Sequence, residues 1–502
     1  MLKKILFLLA IVIVNVTNAQ VKPLNGSTLN YRIIGFQVPQ NVKAATYTLQ
    51  IAFDSVAKAD EFERRTIIEQ KSSSNKIIET VPTFNMLYTW RVVCKDKAGK
   101  IVSKTPLYYF RTGYIKYIDT TVYKMAVYNN TKAVKDMYMM LDNCGVMYDM
   151  NGVPVWYLPV IPDRDSTNNK NHMMRDLKPT GHGTITALFE HGIYEFDYDG
   201  NVLWRGPLNG TKISEEIQTY HHEFTRLTNG NYLVAGNEEI ELEVLQGADN
   251  RERIDTQQTI QRDGKRYRKV ASGTILEYDK TGKLLWSWKS SSVFNKETIN
   301  ADAGNRMMRL GTHLNSVYMD EQNKVVYVGF RNISKIVKLE YPTGKILDVF
   351  EGKIPIMRQG ADMSKIATDP FSCQHSCRKE YGMLYVFNNN TMRDPNSSSV
   401  AEIYQEPDTT GKGLKKIWYF DCNIDRNTTP GSPVGGSIYA INDTTVLICM
   451  GQAGRILIVD KNKNVLWNGF QKFNKGEDAW VNLPQYRVSY VDKKHLYKLL
   501  FK

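Results

Sequence analysis

A repeated turn-and-strand pattern constrains the fold of this chain more than any other feature. From about residue 119 onward, an Asp-x-x-Gly turn leads into a strand that ends in Trp. The clearest copies are Asp149–Trp156, Asp197–Trp204 and Asp279–Trp286, and the weaker copies are Glu340–Asp348, Asp408–Trp418 and Asp460–Trp467. A further predicted hairpin precedes each copy, so that each unit has about four strands. Six such units predict an all-β fold, a six-bladed β-propeller over residues 119–502.

The end of the chain and two inserts bear on how this ring would close. The last stretch, Tyr486–Leu500, is strand-like and would complete the first unit, which would join the two ends of the ring. Residues 238–270 and 351–370 interrupt the repeat, and we expect them to form loops over one face of the propeller.

The N-terminus carries the three parts of a secretory signal peptide in residues 1–19. Lys3 and Lys4 precede the apolar run Ile5–Val14, and Thr17–Ala19 follows it at the expected cleavage position. The apolar run is too short to span a bilayer comfortably, and no later run is long enough, so we predict no membrane span. The mature chain would begin near Gln20 and work in the periplasm or outside the cell.

Residues 20–118 alternate like the strands of a small β-sandwich, which we expect to be an accessory domain. Turns rich in Gly, Asn and Lys separate the strands. The predicted strands are Tyr31–Val38, Thr46–Phe53, Ile77–Glu79, Met86–Cys94, Ile101–Lys104 and Leu107–Arg111. Trp90 in the middle of the fourth is typical of such domains.

Charge and cysteine content say little about partners and leave the redox state open. The formal net charge of +13 is compatible with attraction to small anions, but scattered, solvated lysines explain it more simply. In an exported protein it gives no reason to expect nucleic acid. Of the six cysteines, Cys373 and Cys377 lie four residues apart on a predicted strand. An extended strand would separate them by about 13 Å, too far for a mutual disulfide, while other pairings stay open.

Four of the eight histidines recur at or near the start of the innermost hairpin of a predicted unit. They are His172, His222, His313 and His375. Equivalent positions of successive blades point at the central channel, so we expect at least three imidazoles to meet at one mouth. His221 neighbours His222, and the alignment of the units favours His222 for this position.

One predicted hairpin would add a cation to these histidines. It consists of the strands His313–Met319 and Val325–Phe330, joined by the turn Asp320–Lys324. Because His313 and Arg331 lie equally far from the turn, the hairpin brings them together, and Asn315 falls on the same strand face as His313. An imidazole, a carboxamide and a guanidinium suit an oxyanion with several oxygens.

Three kinds of site could use such a cluster. A metal would want three imidazoles or a carboxylate, but Arg331 would repel a cation and only Glu223 lies beside these histidines, so we predict no metal. An inert polar rim is the second kind. The third is transfer of a tetrahedral anionic group through a nucleophilic imidazole. The sequence contains no nucleotide fingerprint and no phosphate-cradling glycine loop, so no cofactor is expected.

Several motifs together resemble those of the bacterial aryl sulfotransferases that use phenolic sulfate esters instead of a nucleotide sulfate donor. The motifs are Tyr220-His-His-Glu223, His313-Leu-Asn-Ser-Val317, Phe330-Arg331, Gln374-His375-Ser376 and Gly181-His-Gly183. The likeness covers nearly the whole mature chain. It implies an exported six-bladed propeller preceded by a β-sandwich, in which the histidine that becomes sulfated is His375.

The resemblance also implies the reaction and the residues that carry it. A small phenolic sulfate donor and a phenol acceptor would react in two half-reactions, without a cofactor, and a homodimer is compatible with this. The catalytic residues would be His375, His313, His222 and Arg331, and the substrate-binding residues Asn315 and His221. The chain departs from the family at Gly431–Ser437, where a bulkier polar residue is expected near Gly436, and at Cys373 and Cys377. The alternative function is a non-catalytic or metal-dependent propeller that binds anionic glycans or aryl ligands.

Overall fold

The computed structural model describes residues 21–131, 134–159, 174–189, 192–207, 212–213, 216–217, 219–243, 259–294, 312–352, 370–390, 398–409, 412–425 and 431–501. The predicted signal peptide and His172 lie outside the described residues. The chain separates into two compact units, one up to Gly113 and the other from Tyr114 to Leu500. The domain bounds proposed from the sequence, 20–118 and 119–502, stay a prediction.

The first unit contains eight strands and one short helix. They are β1 (Ser27–Leu29), β2 (Ile33–Gln37), β3 (Thr46–Phe53), α1 (Ala59–Arg65), β4 (Thr66–Ser72), β5 (Lys76–Thr80), β6 (Leu87–Lys95), β7 (Ile101–Lys104) and β8 (Tyr108–Thr112). Strands β1-β8-β6-β3-β4 form one sheet with β7 beside β6, and β2 pairs with β5. Phe36 of the small sheet packs on Trp90 of the large one, with ring centroids 5.0 Å apart. The sequence analysis missed β1, α1 and β4, and the β-sandwich stays a prediction.

In the described residues of the second unit, the regular elements besides three short 3-10 helices are strands and one α-helix that follows the last strand. They are β9 (Tyr123–Asn130), β10 (Met137–Leu141), β11 (Val146–Asp149), β12 (Pro154–Tyr157), β13 (Arg175–Pro179), β14 (Ile185–Phe189), β15 (Gly192–Phe196), β16 (Val202–Arg205), β17 (Lys212–Ile213), β18 (Glu216–Ile217), β19 (Thr219–Arg226), β20 (Tyr232–Glu243), β21 (Thr259–Arg262), β22 (Lys265–Tyr278), β23 (Leu284–Lys289), β24 (Leu314–Asp320), β25 (Val325–Phe330), β26 (Lys335–Glu340), β27 (Ile346–Glu351), β28 (His375–Glu380), β29 (Met383–Asn388), β30 (Val400–Gln405), β31 (Lys415–Asp421), β32 (Ser437–Asn442), β33 (Thr445–Cys449), β34 (Arg455–Asp460), β35 (Val465–Asn474), β36 (Trp480–Asn482), β37 (Val488–Asp492) and α2 (Lys493–Phe501).

These strands form six larger sheets that follow one another along the chain. The sheets are β37-β10-β11-β12, β13-β14-β15-β16, β19-β20-β22-β23 with β21 on β22, β24-β25-β26-β27, β28-β29-β30-β31, and β32-β33-β34-β35 with β9 and β36 on β35. The first strand of each sheet contacts the first strand of the next, and β32 contacts β37. The propeller-like all-β class is therefore confirmed, and the count of six blades is our interpretation of these contacts.

The Asp, Gly and Trp of the repeat each have a structural task. The Asp149 carboxylate accepts hydrogen bonds from the N–H groups of Asn151 and Val153, both at 2.9 Å, which closes the turn. Gly152 follows in the left-handed region, with φ 82°. Four of the five repeat tryptophans donate the indole N–H to the backbone carbonyl of the second turn residue in the next sheet. The pairs are Trp156–Tyr198 at 2.8 Å, Trp204–Lys280 at 3.0 Å, Trp418–Lys461 at 3.0 Å and Trp467–Met150 at 2.8 Å. The repeat therefore fastens each of these sheets to its neighbour, and Trp467 fastens the sixth to the first.

Trp467→Phe should destabilise the protein far more than Trp418→Phe. Trp467 is fully buried, so the change removes the indole hydrogen bond to the Met150 carbonyl, whose remaining donor is the Asn130 amide, and it opens a cavity. We expect a loss of about 2–4 kcal/mol in the free energy of unfolding. Trp418 is half-buried, and water can replace its hydrogen bond, so that Trp418→Phe should cost about 1 kcal/mol or less. Chemical denaturation of both variants measures the difference, and equal losses would contradict the closing role of Trp467.

The closing strand is present, but it is shorter than predicted. Strand β37 pairs antiparallel with β10, from Met137 opposite Asp492 to Leu141 opposite Val488. The prediction of a strand through Leu500 is wrong, because helix α2 begins at Lys493. The Asp492 carboxylate caps it by accepting from the His495 N–H at 2.7 Å. Leu496, Leu499 and Leu500 form its buried stripe at helical spacing.

The first predicted insert also differs from expectation. Much of residues 238–270 is not a loop, because β20 and β22 continue through it as one long antiparallel pair. Opposite charges face each other across this extension, such as Glu239 and Lys269 at 2.6 Å and Glu241 and Arg262 at 2.9 Å. Most of the second insert lies outside the described residues. Among the residues that are described, no helix is long and apolar enough to cross a membrane.

Candidate active site

Irregular backbone marks the start of four innermost strands, three of which carry or adjoin candidate residues. The pairing register shifts between Arg175 and Lys178 in β13, between Tyr220 and Phe224 in β19, between Leu314 and Ser316 in β24, and between His375 and Cys377 in β28. Left-handed backbone accompanies these shifts at Asp176, His222, His313 and Ser376, with φ of 55°, 66°, 51° and 51°. Bulges of this kind re-aim side chains and are common beside active sites.

Three of the predicted histidines come together around an aromatic residue. The imidazole of His222 lies 5.1 Å from that of His313 and 5.4 Å from the ring of Tyr486, measured between centroids. The ring of His375 lies 6.3 Å from the same tyrosine. The sequence analysis did not single out Tyr486, which comes from the segment just before β37.

His222 is the histidine that contacts this cluster, while His221 lies behind it. The Nδ1 atoms of the two rings are 2.5 Å apart, so the Nδ1–H of one ring donates a hydrogen bond to the Nδ1 of the other. His221 is buried, and its Nε2 has no hydrogen-bond partner among the described residues. We therefore retain His222 as the candidate for proton transfer and assign His221 to its support.

The predicted hairpin is present and brings Arg331 to the cluster. Strands β24 and β25 pair, and the Arg331 N–H donates to the His313 carbonyl at 3.0 Å. The guanidinium makes two long hydrogen bonds, to the Asn332 carboxamide oxygen at 3.3 Å and to the Pro433 carbonyl at 3.2 Å. Contacts of this length are weak, so an anion could replace them.

Asn315 lies in the bulge of β24, where the regular alternation assumed in the prediction is broken. Leu314 pairs with Phe330 and Ser316 with Gly329, so Asn315 is the unpaired extra residue. Its amide donates to the Gln374 carbonyl at 2.7 Å. Its oxygen has no hydrogen-bond partner within the described part of the chain. Asn315 thus links the β24 bulge to the residue before His375.

A neighbouring asparagine fixes the ring of His375. The Nδ1 atom of His375 lies 2.6 Å from the Asn389 carboxamide oxygen. The Asn389 amide nitrogen donates to the carbonyls of Ser432 at 2.7 Å and Gly435 at 2.8 Å, which fixes the orientation of the carboxamide. Its oxygen must therefore accept from Nδ1–H, and the unprotonated nitrogen of His375 is Nε2.

Comparison with protein families identifies the family of the chain. The family profile described as Arylsulfotransferase (ASST) matches residues 122–464, the bulk of the chain. This chain belongs to the arylsulfotransferase family. Among functionally curated proteins, none matches it.

The solved structures that are similar to this arylsulfotransferase are distant. A protein of unknown function from Bacteroides caccae is 12% identical, with a TM-score of 0.41, and the match covers 71% of this chain and 99% of that one. The β-propeller domain of Myceliophteria thermophila Cps50 (Swd1) is 11% identical, with a TM-score of 0.36, and the match covers 74% of this chain and 97% of that domain. At such identities, the similarities say nothing about activity.

Three imidazoles of this arylsulfotransferase, those of His221, His222 and His375, are held neutral near pH 7. Burial, and then the nearby Arg331 cation, keep the pKa of His375 well below its ordinary value. Burial lowers the pKa of His221 to about 4 and that of His222 well below its ordinary value, and neighbouring imidazoles lower the latter further. A neutral imidazole can act as a nucleophile or as a base.

Tyr486 presents a buried polar atom to the histidine cluster. Burial of its hydroxyl raises the pKa of Tyr486 to about 12, so the group is a proton donor near pH 7. No hydrogen-bond partner for this hydroxyl is found among the described residues. The Arg175 guanidinium lies 5.4 Å from the ring. Buried hydroxyls are nearly always hydrogen-bonded, so this one is a candidate for contact with a substrate oxygen.

The two departures from the family pattern have structural explanations. A Cβ on Gly436, whose φ is 110°, would meet the Phe387 ring at 2.2 Å, so a bulkier residue there would require that ring to move. All six cysteines lie in the described residues, and none is in a disulfide. Burial raises the pKa of the Cys377 thiol, which keeps it protonated beside His375. Within the described ranges, no three His, Cys, Asp or Glu residues are arranged to hold a metal ion.

Proposed function

We propose that this arylsulfotransferase moves a sulfuryl group from a phenolic sulfate ester to a phenol through a sulfohistidine at His375. The observation that carries the proposal is the hydrogen bond from His375 Nδ1–H to Asn389, which leaves Nε2 with a free lone pair. The lowered pKa of His375 supports it, because it keeps this lone pair available near pH 7. A serine hydroxyl would instead need an adjacent base to become nucleophilic.

In the first half-reaction, Nε2 of His375 attacks the sulfur atom of the donor. The N–S bond forms while the bond from sulfur to the phenolic oxygen breaks, and the bonding electrons leave on that oxygen. His313 or His222 gives a proton to the departing phenolate. The bound sulfate ester favours a protonated imidazole beside it, because its negative charge raises the pKa of that ring.

In the second half-reaction, the acceptor phenol takes the place of the first product. The same acid–base histidine removes the phenol proton, and the phenolate oxygen attacks sulfur. The N–S bond breaks, and its electrons return to Nε2 of His375. The two half-reactions together release no net proton, so one histidine can serve both.

Arg331, Asn315 and Tyr486 would hold the sulfuryl oxygens during both steps. The guanidinium of Arg331 can donate to two oxygens at once, and its positive charge complements the negative charge of the sulfate ester. Asn315 makes one amide hydrogen bond, to the Gln374 carbonyl, which leaves its second N–H for the substrate. The Tyr486 hydroxyl could donate to a further oxygen. Export and a homodimer stay predictions from the sequence.

Initial rates with 4-nitrophenyl sulfate and a phenol test this proposal. The account predicts sulfation of the phenol, and parallel double-reciprocal lines when both concentrations vary, because the first product leaves before the acceptor binds. Intersecting lines would contradict the covalent intermediate. Release of 4-nitrophenolate without sulfation of any phenol would contradict the transfer.

Labelling of His375 should be nearly independent of pH between 7.5 and 5.5. For a histidine with an ordinary pKa of about 6.5, the neutral fraction would fall about tenfold over that range. Because burial and Arg331 hold the pKa of His375 well below that value, its neutral fraction should hardly change. Single-turnover release of 4-nitrophenolate without acceptor is the measurement, since this leaving group needs little protonation.

The folded state must be checked at each pH by circular dichroism. A buried neutral histidine binds protons less readily than the same residue in the unfolded chain, so stability falls as the pH drops below about 6.5. A tenfold loss of labelling in protein that remains folded would contradict a lowered pKa for His375.

A further inference from the structure

One buried arginine joins several of the innermost strands beneath the histidines. Arg487 follows Tyr486 just before β37, and its side chain is 3% exposed. The backbone N–H groups of Tyr486 and Arg487 donate to the Asp142 carboxylate at 3.1 and 2.8 Å. The same carboxylate accepts from the Asp176 N–H at 3.1 Å. This fixes the start of the side chain relative to β10 and β13.

The guanidinium of Arg487 contacts the two segments that carry the acid–base histidines. It donates to the Glu223 carboxylate, and Glu223 directly follows His222. It also donates to the Asn315 carbonyl at 2.9 Å, two residues after His313. A third bond, to the Asp176 carboxylate at 3.1 Å, joins it to β13.

We propose that Arg487 is a positioning residue that sets the distance between the imidazoles of His222 and His313. The inference rests on the proposed function, because these are its candidates for proton transfer. Both histidines have left-handed backbone, and such conformations persist only when surrounding contacts impose them. The planar guanidinium of Arg487 contacts both segments at once, through Glu223, the residue after His222, and through the carbonyl of Asn315, two residues after His313.

The charges around Arg487 keep this arrangement intact at the pH of the reaction. Burial alone would raise the pKa of Glu223, but Arg487 and Lys178 outweigh it and lower that pKa to about 2. The Lys178 ammonium lies 2.7 Å from Asp176 and 2.8 Å from Glu223. Arg378 contributes a further cation, 3.9 Å from Glu223. Lysine at position 487 would retain the charge but could not reach Glu223 and the Asn315 carbonyl in the same geometry.

The test compares two donors that differ in their need for a general acid. Phenyl sulfate has a basic leaving group that must be protonated, whereas 4-nitrophenyl sulfate needs little help. Arg487→Lys should lower kcat for phenyl sulfate at least about tenfold more than kcat for 4-nitrophenyl sulfate, because a misplaced acid costs only the first donor. A purely structural role would lower both rates by the same factor.

Arg455→Lys is the matched control. Arg455 begins β34 of the sixth sheet, and its side chain is 1% exposed and pairs with Asp425 at 2.5 Å. Its substitution should leave the ratio of the two donors unchanged. If Arg487→Lys does not fold, Glu223→Gln replaces it, since this change keeps the shape of the side chain and weakens the same bridge.

The outcomes separate this inference from the proposed function. An unchanged donor ratio in both Arg487→Lys and Glu223→Gln overturns the positioning role of Arg487, even if the wild-type protein forms a sulfohistidine. Wild-type protein that forms no adduct on His375 contradicts the proposed function. A changed donor ratio in Arg487→Lys, with an unchanged one in Arg455→Lys, supports the inference.

Discussion

His375→Asn is expected to abolish sulfuryl transfer, with a loss of at least about 10³-fold in kcat. The side chain of Asn is similar in polarity to imidazole, but its amide nitrogen has no free lone pair with which to attack sulfur. The variant should therefore lose both the covalent intermediate and turnover. Release of 4-nitrophenolate from 4-nitrophenyl sulfate, with and without a phenol, is the measurement.

Two further variants make this result specific. His495→Asn makes the same chemical change in helix α2, outside the cluster, and should leave the rate unchanged. His313→Asn should slow the transfer but retain some labelling of His375, because it removes a proton donor and leaves the nucleophile in place. Undiminished turnover in His375→Asn would end the assignment of the nucleophile.

Arg331→Lys is expected to lower kcat/KM at least about tenfold, which corresponds to ~1.4 kcal/mol of transition-state binding. A guanidinium can donate two parallel hydrogen bonds to sulfuryl oxygens, whereas an ammonium of the same charge acts as a single point. The variant keeps a positive charge beside His375. The fall in kcat/KM therefore measures the contribution of the geometry of the hydrogen-bond donors. Steady-state rates with 4-nitrophenyl sulfate give the value.

Arg262→Lys provides the control for this substitution. Arg262 lies on the long hairpin extension, with its side chain 53% exposed and paired with Glu241. The same exchange there should leave kcat/KM within about twofold, because exposed ion pairs contribute little. Near-full activity of Arg331→Lys would place Arg331 on the surface instead of in the site.

The repeat could be found from the sequence because each of its residues has a local task. Asp149 closes a turn through hydrogen bonds within four residues, and Gly152 supplies the left-handed backbone that the turn requires. The tryptophan of the repeat follows its own turn at a similar spacing in the clear copies, although the hydrogen-bond partner of Trp467, Met150, lies in another sheet. Such local tasks are visible in the sequence as a recurring spacing of Asp, Gly and Trp. This spacing is sufficient to predict the all-β, propeller-like class.

The candidate site was predicted in part, because the histidines are scarce and recur at one place in the repeat. The bulges that aim them could not be foreseen, since nothing in the spacing of His313 and Asn315 shows that the strand alternation breaks there. The choice of His222 over His221 also depends on left-handed backbone at that residue.

The supporting residues were missed for a different reason. Asn389 stands in a run of three asparagines at the end of β29, and only the register of that strand against β28 shows which of them meets His375. Tyr486 and Arg487 come from near the C-terminus and reach the site because β37 closes the first sheet. Helix α2 was missed although Leu496, Leu499 and Leu500 have helical spacing, because the segment was treated as a continuation of that strand.

Mass spectrometry of the protein after exposure to an aryl sulfate without acceptor tests the central claim most directly. The account predicts one added sulfuryl group on the intact chain, located by digestion on the peptide that contains His375. The adduct should be labile in acid and should disappear when a phenol is added, with sulfation of that phenol. An adduct on a serine or on another histidine, or turnover without any adduct, would contradict the account.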